Sequence, residues 1–251
     1  MKAAIVASSL LLPTALACAG PVQPATTDAP AMQDIRWHAE PVAGERGQPT
    51  LRLTHKTSTS DLSLGADIAG KRPEFAAARG ALGQAGPVRF TVRHAAGMLA
   101  CSGDVARAYD GEGRCSFAPD AGFARALADR GLPLRSDADQ LSMLMVDATV
   151  ALADGLIDAG VRPDEADDLI AAAALDLTGA YVRDLKASRL VLTDIDDAIA
   201  CKALGVDGAY VRGLAAAGYT KLDADEVLGM KALGVSPDYA RQMNRAAKGA
   251  K

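Results

Sequence analysis

Three histidines, four cysteines and 31 carboxylates are the side chains from which this 251-residue sequence could assemble reactive chemistry. His38, His55 and His94 each fall near the end of a strand-like segment. Neighbouring strands would bring the imidazoles together, as a zinc site needs. Yet no two stand at ligand spacing, and their neighbours are basic or apolar, so no metal is expected. The paired carboxylates Asp167-Asp168, Asp196-Asp197 and Asp225-Glu226 fall in the first turns of predicted helices. There they complement the helix dipole, and capping accounts for them better than general acid–base work. No Gly-x-Ser-x-Gly elbow occurs, no cysteine stands beside an activating base, and no glycine-rich phosphate loop is present. The reading is therefore no catalytic residue, no cofactor and no enzyme.

The tyrosines carry a stronger signal. Tyr181, Tyr210 and Tyr239 are spaced by 29 residues, in the segments TGAYVRDL, DGAYVRGL and SPDYARQM. Self-similarity at such a period marks repeats that stack. Thr178, Asp207 and Ser236 precede each segment as N-caps, and Pro237 suits the first helical position. A second helix of each unit opens on TDID at Thr193 or DADE at Asp223, in the manner of a capping box. Gly205, Gly218 and Gly234 fall where helices should end in a left-handed cap. Leu185, Leu214 and Met243 recur on one face, as do Ala198 with Val227 and Leu204 with Leu233. Val161 to Leu177 is a weaker copy. Asp137 to Ala159 reads as one longer amphipathic helix opening the solenoid, with Leu152 in the place of Tyr181. Stacking would align Arg183, Arg212 and Arg241 into a ladder beside the three tyrosines. That ladder is the candidate interaction surface; the alternative is tyrosines that anchor helix pairs, with each Arg paired to a neighbouring acidic first turn.

The region before the repeats has a different texture. Asp34–Glu40, Thr50–Lys56, Val88–His94 and Arg114–Phe117 alternate or carry β-branched and aromatic residues. Pro73–Leu82 and Ala121–Arg130 are helical candidates. Met98–Gly103 and Gly113–Phe117 form a predicted hairpin with its tip near Ala108, midway between Cys101 and Cys115. Folding there sets the two sulfurs side by side, which implies a disulfide; the alternative is two small thiols filling strand positions. Cys201 sits on an apolar helix face as a buried thiol. The fold class is α+β: a small antiparallel sheet domain over residues 34–136, then an all-α helical-hairpin solenoid over 137–251.

Residues 1–18 combine Lys2, an uncharged apolar stretch and the small residues Ala15-Leu16-Ala17, the pattern of an export signal peptide. Residues 19–33, AGPVQPATTDAPAMQ, are a disordered tether in composition. Export would place the cysteines in an oxidising compartment. The charge divides with the chain: residues 32–136 carry 14 basic and 11 acidic side chains, residues 137–251 carry 12 and 19. The acidic helical part argues against nucleic acid. A tether directly after Cys18 resembles a bacterial lipoprotein, which implies lipidation of Cys18; plain secretion is the alternative.

The repeat carrying LGV, a cap and then (A/D)YVR–L–AGY resembles helical repeats of bacterial envelope proteins, including those that accompany BlaR-type antibiotic sensors. VRFTVRHAAGMLACSGD and GEGRCSFAPDAGFARALADRG are similar to the module that precedes such repeats. The resemblance covers roughly residues 34–251 and speaks to architecture. The zinc peptidase of those sensors is missing from this sequence, since no His-Glu-x-x-His occurs. It implies a detached accessory part: a non-catalytic, exported periplasmic or lipid-anchored envelope protein that binds a protein or peptide partner. The alternatives are a periplasmic enzyme with a site between the sheet and the first helices, and a small-ligand sensor domain.

Overall fold

A computed structural model describes residues 32–43, 48–57, 61–68, 70 and 72–249. The expected export signal, the lipidation site Cys18 and residues 19–31 of the expected tether lie outside the described residues, whereas Met32 and Gln33, the last two of that tether, already belong to a strand. The chain is α+β, an antiparallel sheet followed by helices. The strands are β1 (Met32–Ala43), β2 (Gln48–Lys56), β3 (Asp61–Asp67), β4 (Gly86–His94), β5 (Gly97–Arg107) and β6 (Asp110–Pro119). They pair antiparallel in the order β3-β2-β1-β6-β5-β4. Alternation decides the faces: Ile35, Trp37, Leu51, Leu53, Phe90, Val92, Leu99 and Phe117 are buried. Arg36, Arg52, Arg89 and Arg114 take the solvent face. The Trp37 indole lies across Gly103 and Gly113, which face each other on β5 and β6; a Cβ at Gly103 would sit 2.7 Å from the ring.

A 3₁₀ turn over Pro73–Phe75 leads into α1 (Ala76–Leu82), which packs on β4. The β5–β6 turn is Ala108-Tyr109, as the midpoint of the cysteines implies, and Cys101 stands directly opposite Cys115 in a disulfide.

Among the described residues nine more helices follow: α2 (Ala121–Ala128), α3 (Asp137–Val146), α4 (Val150–Asp158), α5 (Ala166–Ala174), α6 (Gly179–Ala187), α7 (Ile195–Ala203), α8 (Gly208–Ala216), α9 (Ala224–Ala232) and α10 (Pro237–Gly249). They form two rows. Even-numbered helices pack α2 on α4, α4 on α6, α6 on α8 and α8 on α10; odd-numbered ones pack α3 on α5, α5 on α7 and α7 on α9. Both rows start a helix every 29 residues. Asp120, Thr149, Thr178, Asp207 and Ser236 each accept the backbone N–H three residues on. At the ends of α2 to α9, a six-residue backbone bond such as Val161 N–H to Leu156 O closes a Schellman turn.

Several expectations need correction, among them the cap expected at Thr193, which falls on Asp194. The expected single helix from Asp137 to Ala159 is broken: Asp147 adopts a left-handed φ of 65°, Thr149 caps a new helix, and α3 and α4 meet at 79°. The segment is a further repeat, with Thr149 one period before Thr178. The repeat phase also begins earlier than expected, at Asp120. Finally, Leu204 and Leu233 do not join a buried face; they are C-caps, 44% and 84% exposed, where the chain leaves the helix. Beyond these, β3 adds a strand that the pattern Leu62, Leu64, Ala66 could have announced.

One hydrophobic core runs from sheet to solenoid. Its bridge is α3, whose residues Gln140 to Met145 are all buried against β3, β5, β6 and α5. Gln140 donates to the carbonyls of Ala96 (3.2 Å) and Asp120 (2.8 Å). Arg72 donates to those of Met145 (2.7 Å) and Leu144 (2.8 Å). Among the described residues no helix is long and apolar enough to cross a membrane; α3 with α4 reaches that length only as the bent pair.

Candidate functional site

The three histidines do not converge. His38 and His55 lie on adjacent strands with opposite parity, and His94 ends β4 at the far edge of the sheet. Among the described residues no group of three His, Cys, Asp or Glu side chains could hold a metal ion. His94 has a specific environment that the sequence does not reveal. Its side chain is 4% exposed; Nδ1 accepts the Ala96 N–H at 3.0 Å, which leaves the proton on Nε2, facing Asp147 Oδ1 at 3.2 Å. Burial pulls its pKa below the ordinary histidine value, against the opposing pull of Asp147. Both ring nitrogens are committed, so the imidazole latches the sheet to the α3–α4 corner and has no free atom for proton transfer. Cys201 is buried, and burial pushes its thiol up to about 11, which keeps it protonated and inert.

The tyrosines and arginines divide. The Tyr181 hydroxyl donates to the carbonyl of Val206, and that of Tyr210 to Val235 at 2.7 Å. Each thereby clamps its helix to the end of the next odd helix. Lys202 lies over the Tyr181 ring at 5.0 Å and Lys231 over Tyr210 at 4.5 Å, one period apart. Burial raises both phenol pKa values, so neither ionises at neutral pH. Tyr239 is 52% exposed. The expected arginine ladder is not uniform. Arg212 bonds Asp184 of α6 (3.0 Å) and the Oγ of its C-cap Ser188 (2.6 Å), Arg241 turns to Asp238 on its own helix, and Arg183 forms no ion pair among the described residues. The reason lies one repeat back: Gly155 and Gly213 stand where Arg212 finds its partner Asp184.

A different feature of the even row is a groove of about 840 Å³ between the end of α6, the side of α8 and the α8–α9 loop. Its floor includes Val191, Val211 and Leu222, and Val191 is 63% exposed. Arg189 and Lys221 stand at its walls, both with left-handed backbones (φ 67° and 77°), together with Arg212, which is engaged by Asp184, and Asp223, whose carboxylate accepts the Glu226 N–H. Neither the Arg189 nor the Lys221 side chain forms an ion pair or hydrogen bond among the described residues.

Comparison of the four even-row helix ends explains why this groove is open. At the end of α2, Arg162 donates to the Arg130 carbonyl at 2.6 Å. At the end of α4, Lys186 donates to Ala159 at 2.9 Å and to Gly160 at 3.0 Å. At the end of α8, Asn244 donates to Ala217 at 2.6 Å. In each case a glycine with positive φ, Gly131, Gly160 or Gly218, lies against the donor tip; a Cβ there would meet it at 3.3, 2.8 or 3.1 Å. At the end of α6 both members change. Arg189 occupies the glycine position and Ala215 stands where Lys186 and Asn244 stand in the flanking repeats. No side-chain donor reaches the Ser188 carbonyl among the described residues. The sequence carries this signal as two departures from its own period.

The outer sheet face holds a hollow of about 570 Å³ with Arg36, Arg52, Arg114, Asp104 and Glu112 in its wall. Its charges are of both signs and partly paired, as with Arg114 and Asp34 at 3.3 Å, so it has the character of a solvated surface. Compared with family models, curated proteins and solved structures, the chain matches none.

Proposed function

We propose that this chain is a non-catalytic, exported envelope protein, soluble or held by a lipid on Cys18, that works as a protein- or peptide-interaction module. The observation that carries the reading is the open groove at the end of α6. Stacked repeats use such side surfaces to hold extended partners, and here the chain withholds the filler it supplies at the three sister positions. Apolar surface left uncovered beside unpaired cations is characteristic of a binding surface. The disulfide and the signal-like first 18 residues favour an oxidising compartment. The resemblance to repeats that accompany envelope sensors agrees with an accessory role. The arginine ladder as a whole is a weaker candidate, since two of its three members are occupied within the chain.

The test is site-specific photo-crosslinking of the full chain in its native cells. A photoreactive residue at position 215 should give a discrete higher-mass adduct. The same residue at position 209, on exposed Ala209 of α8 outside the groove, should not. Equal labelling from both positions, or none from 215, overturns the reading.

A further inference from the structure

Resting on that reading, we propose that the groove at the end of α6 receives an extended peptide segment of a partner protein in which an aliphatic residue adjoins an acidic one. Three separate features of the groove select these parts. The exposed Val191 with Val211 and Leu222 offers a floor for an aliphatic side chain. Arg189 and Lys221 lack an acidic partner within the chain among the described residues, and they flank that floor. A carboxylate seated between them acquires two cations. The Ser188 carbonyl lacks the donor that Arg162, Lys186 and Asn244 supply to its counterparts, and a peptide N–H satisfies it.

The sister grooves serve as an internal template. Each shows that this backbone corner takes a nitrogen donor at 2.6 to 2.9 Å when one is available. They also show what excludes a guest: a long side chain tucked over a glycine, from the following even helix at Lys186 and Asn244 and from the loop after α4 at Arg162. At the open groove the glycine has become Arg189, despite the cost of a left-handed turn for a residue with a Cβ. The side chain that would fill the groove has shrunk to Ala215. One exchange removes the occupant and the other supplies the charge.

The proposal is tested by fluorescence anisotropy on the full chain with a fluorescein-labelled peptide of alternating leucine and glutamate. A leucine–lysine peptide and dodecanoate serve as comparisons. Two variants separate shape from charge. Arg189→Gly combined with Ala215→Lys copies the Gly160 and Lys186 pair and should refill the groove. Lys221→Glu leaves its volume and reverses one wall charge at an exposed position. The leucine–glutamate peptide should bind, weaken as salt is added, and lose about ten-fold or more in affinity with either variant. Circular dichroism confirms that each variant is folded. Equal binding of the leucine–lysine peptide, unchanged affinity in both variants, or preference for dodecanoate overturns the proposal, the last by assigning the groove to a lipid. If crosslinking from position 215 succeeds while the leucine–glutamate peptide fails to bind, the peptide chemistry falls and the interaction reading stands. Failure of both experiments removes both.

Discussion

At His94, a buried neutral imidazole uses one nitrogen to accept the Ala96 N–H and the other to face Asp147. Protonation at Nδ1 would break the first of these bonds and place a charge in a buried position. Because burial holds the folded-state pKa below the unfolded one, the unfolded chain binds the proton more readily. The stabilisation is complete above about pH 6.5 and declines as pH falls from there toward the folded-state value. Thermal melts between pH 7.5 and 5 should show this decline. His94→Asn, which keeps an acceptor for the Ala96 amide, should flatten it; an unchanged slope would assign the effect to other groups. Nothing in the sequence singles out this histidine, because its partner Asp147 is 53 residues away and meets it only once α3 has turned the corner. The groove residues differ in this respect. Arg189 and Ala215 are readable from one chain, provided each repeat is laid over the next and its departures are noted.

Each repeat is specified locally, and for that reason its helices were largely legible. N-cap oxygens, Schellman glycines and recurring apolar residues give the same boundaries through short-range chemistry. Residue type conceals the break between α3 and α4, because Asp147 replaces the glycine that marks the equivalent turn at Gly205 and Gly234. Asp176 does the same one repeat later, with φ 53°. The period, which puts Thr149 under Thr178, carried the information that the residue type concealed. Between repeats the tyrosine clamp supplies a directional bond. Tyr210→Phe leaves the Val235 carbonyl without its donor and should cost about 1 kcal/mol in urea unfolding. Tyr239→Phe, at an exposed ring, should change the midpoint much less. Equal effects from the two substitutions would refute the clamp.

Across the molecule, the sheet and the two helical rows share one core, so they should lose structure together. The single tryptophan, Trp37, is buried in the sheet and reports on it, whereas far-ultraviolet ellipticity is dominated by the helices. Gly179 offers a remote perturbation. A methyl there would run into the Gly155 carbonyl where α4 and α6 cross. Gly179→Ala should cost about 1–3 kcal/mol and lower the midpoints of both signals together. A shift of ellipticity alone would mean that the solenoid unfolds apart from the sheet. The strand order itself was not readable. Pairing β1 between β2 and β6 closes long-range contacts that residue patterns leave open, whereas the cysteine midpoint did place the β5–β6 turn.

The period opens at Asp120, immediately after the last residue of β6. With no spacer at this junction, the strands act as a foundation from which 29-residue storeys rise. Tandem duplication of one 29-residue storey would lengthen the tower while preserving every strand register beneath it. A second berth would then require only two substitutions in the new copy, at the counterparts of Arg189 and Ala215.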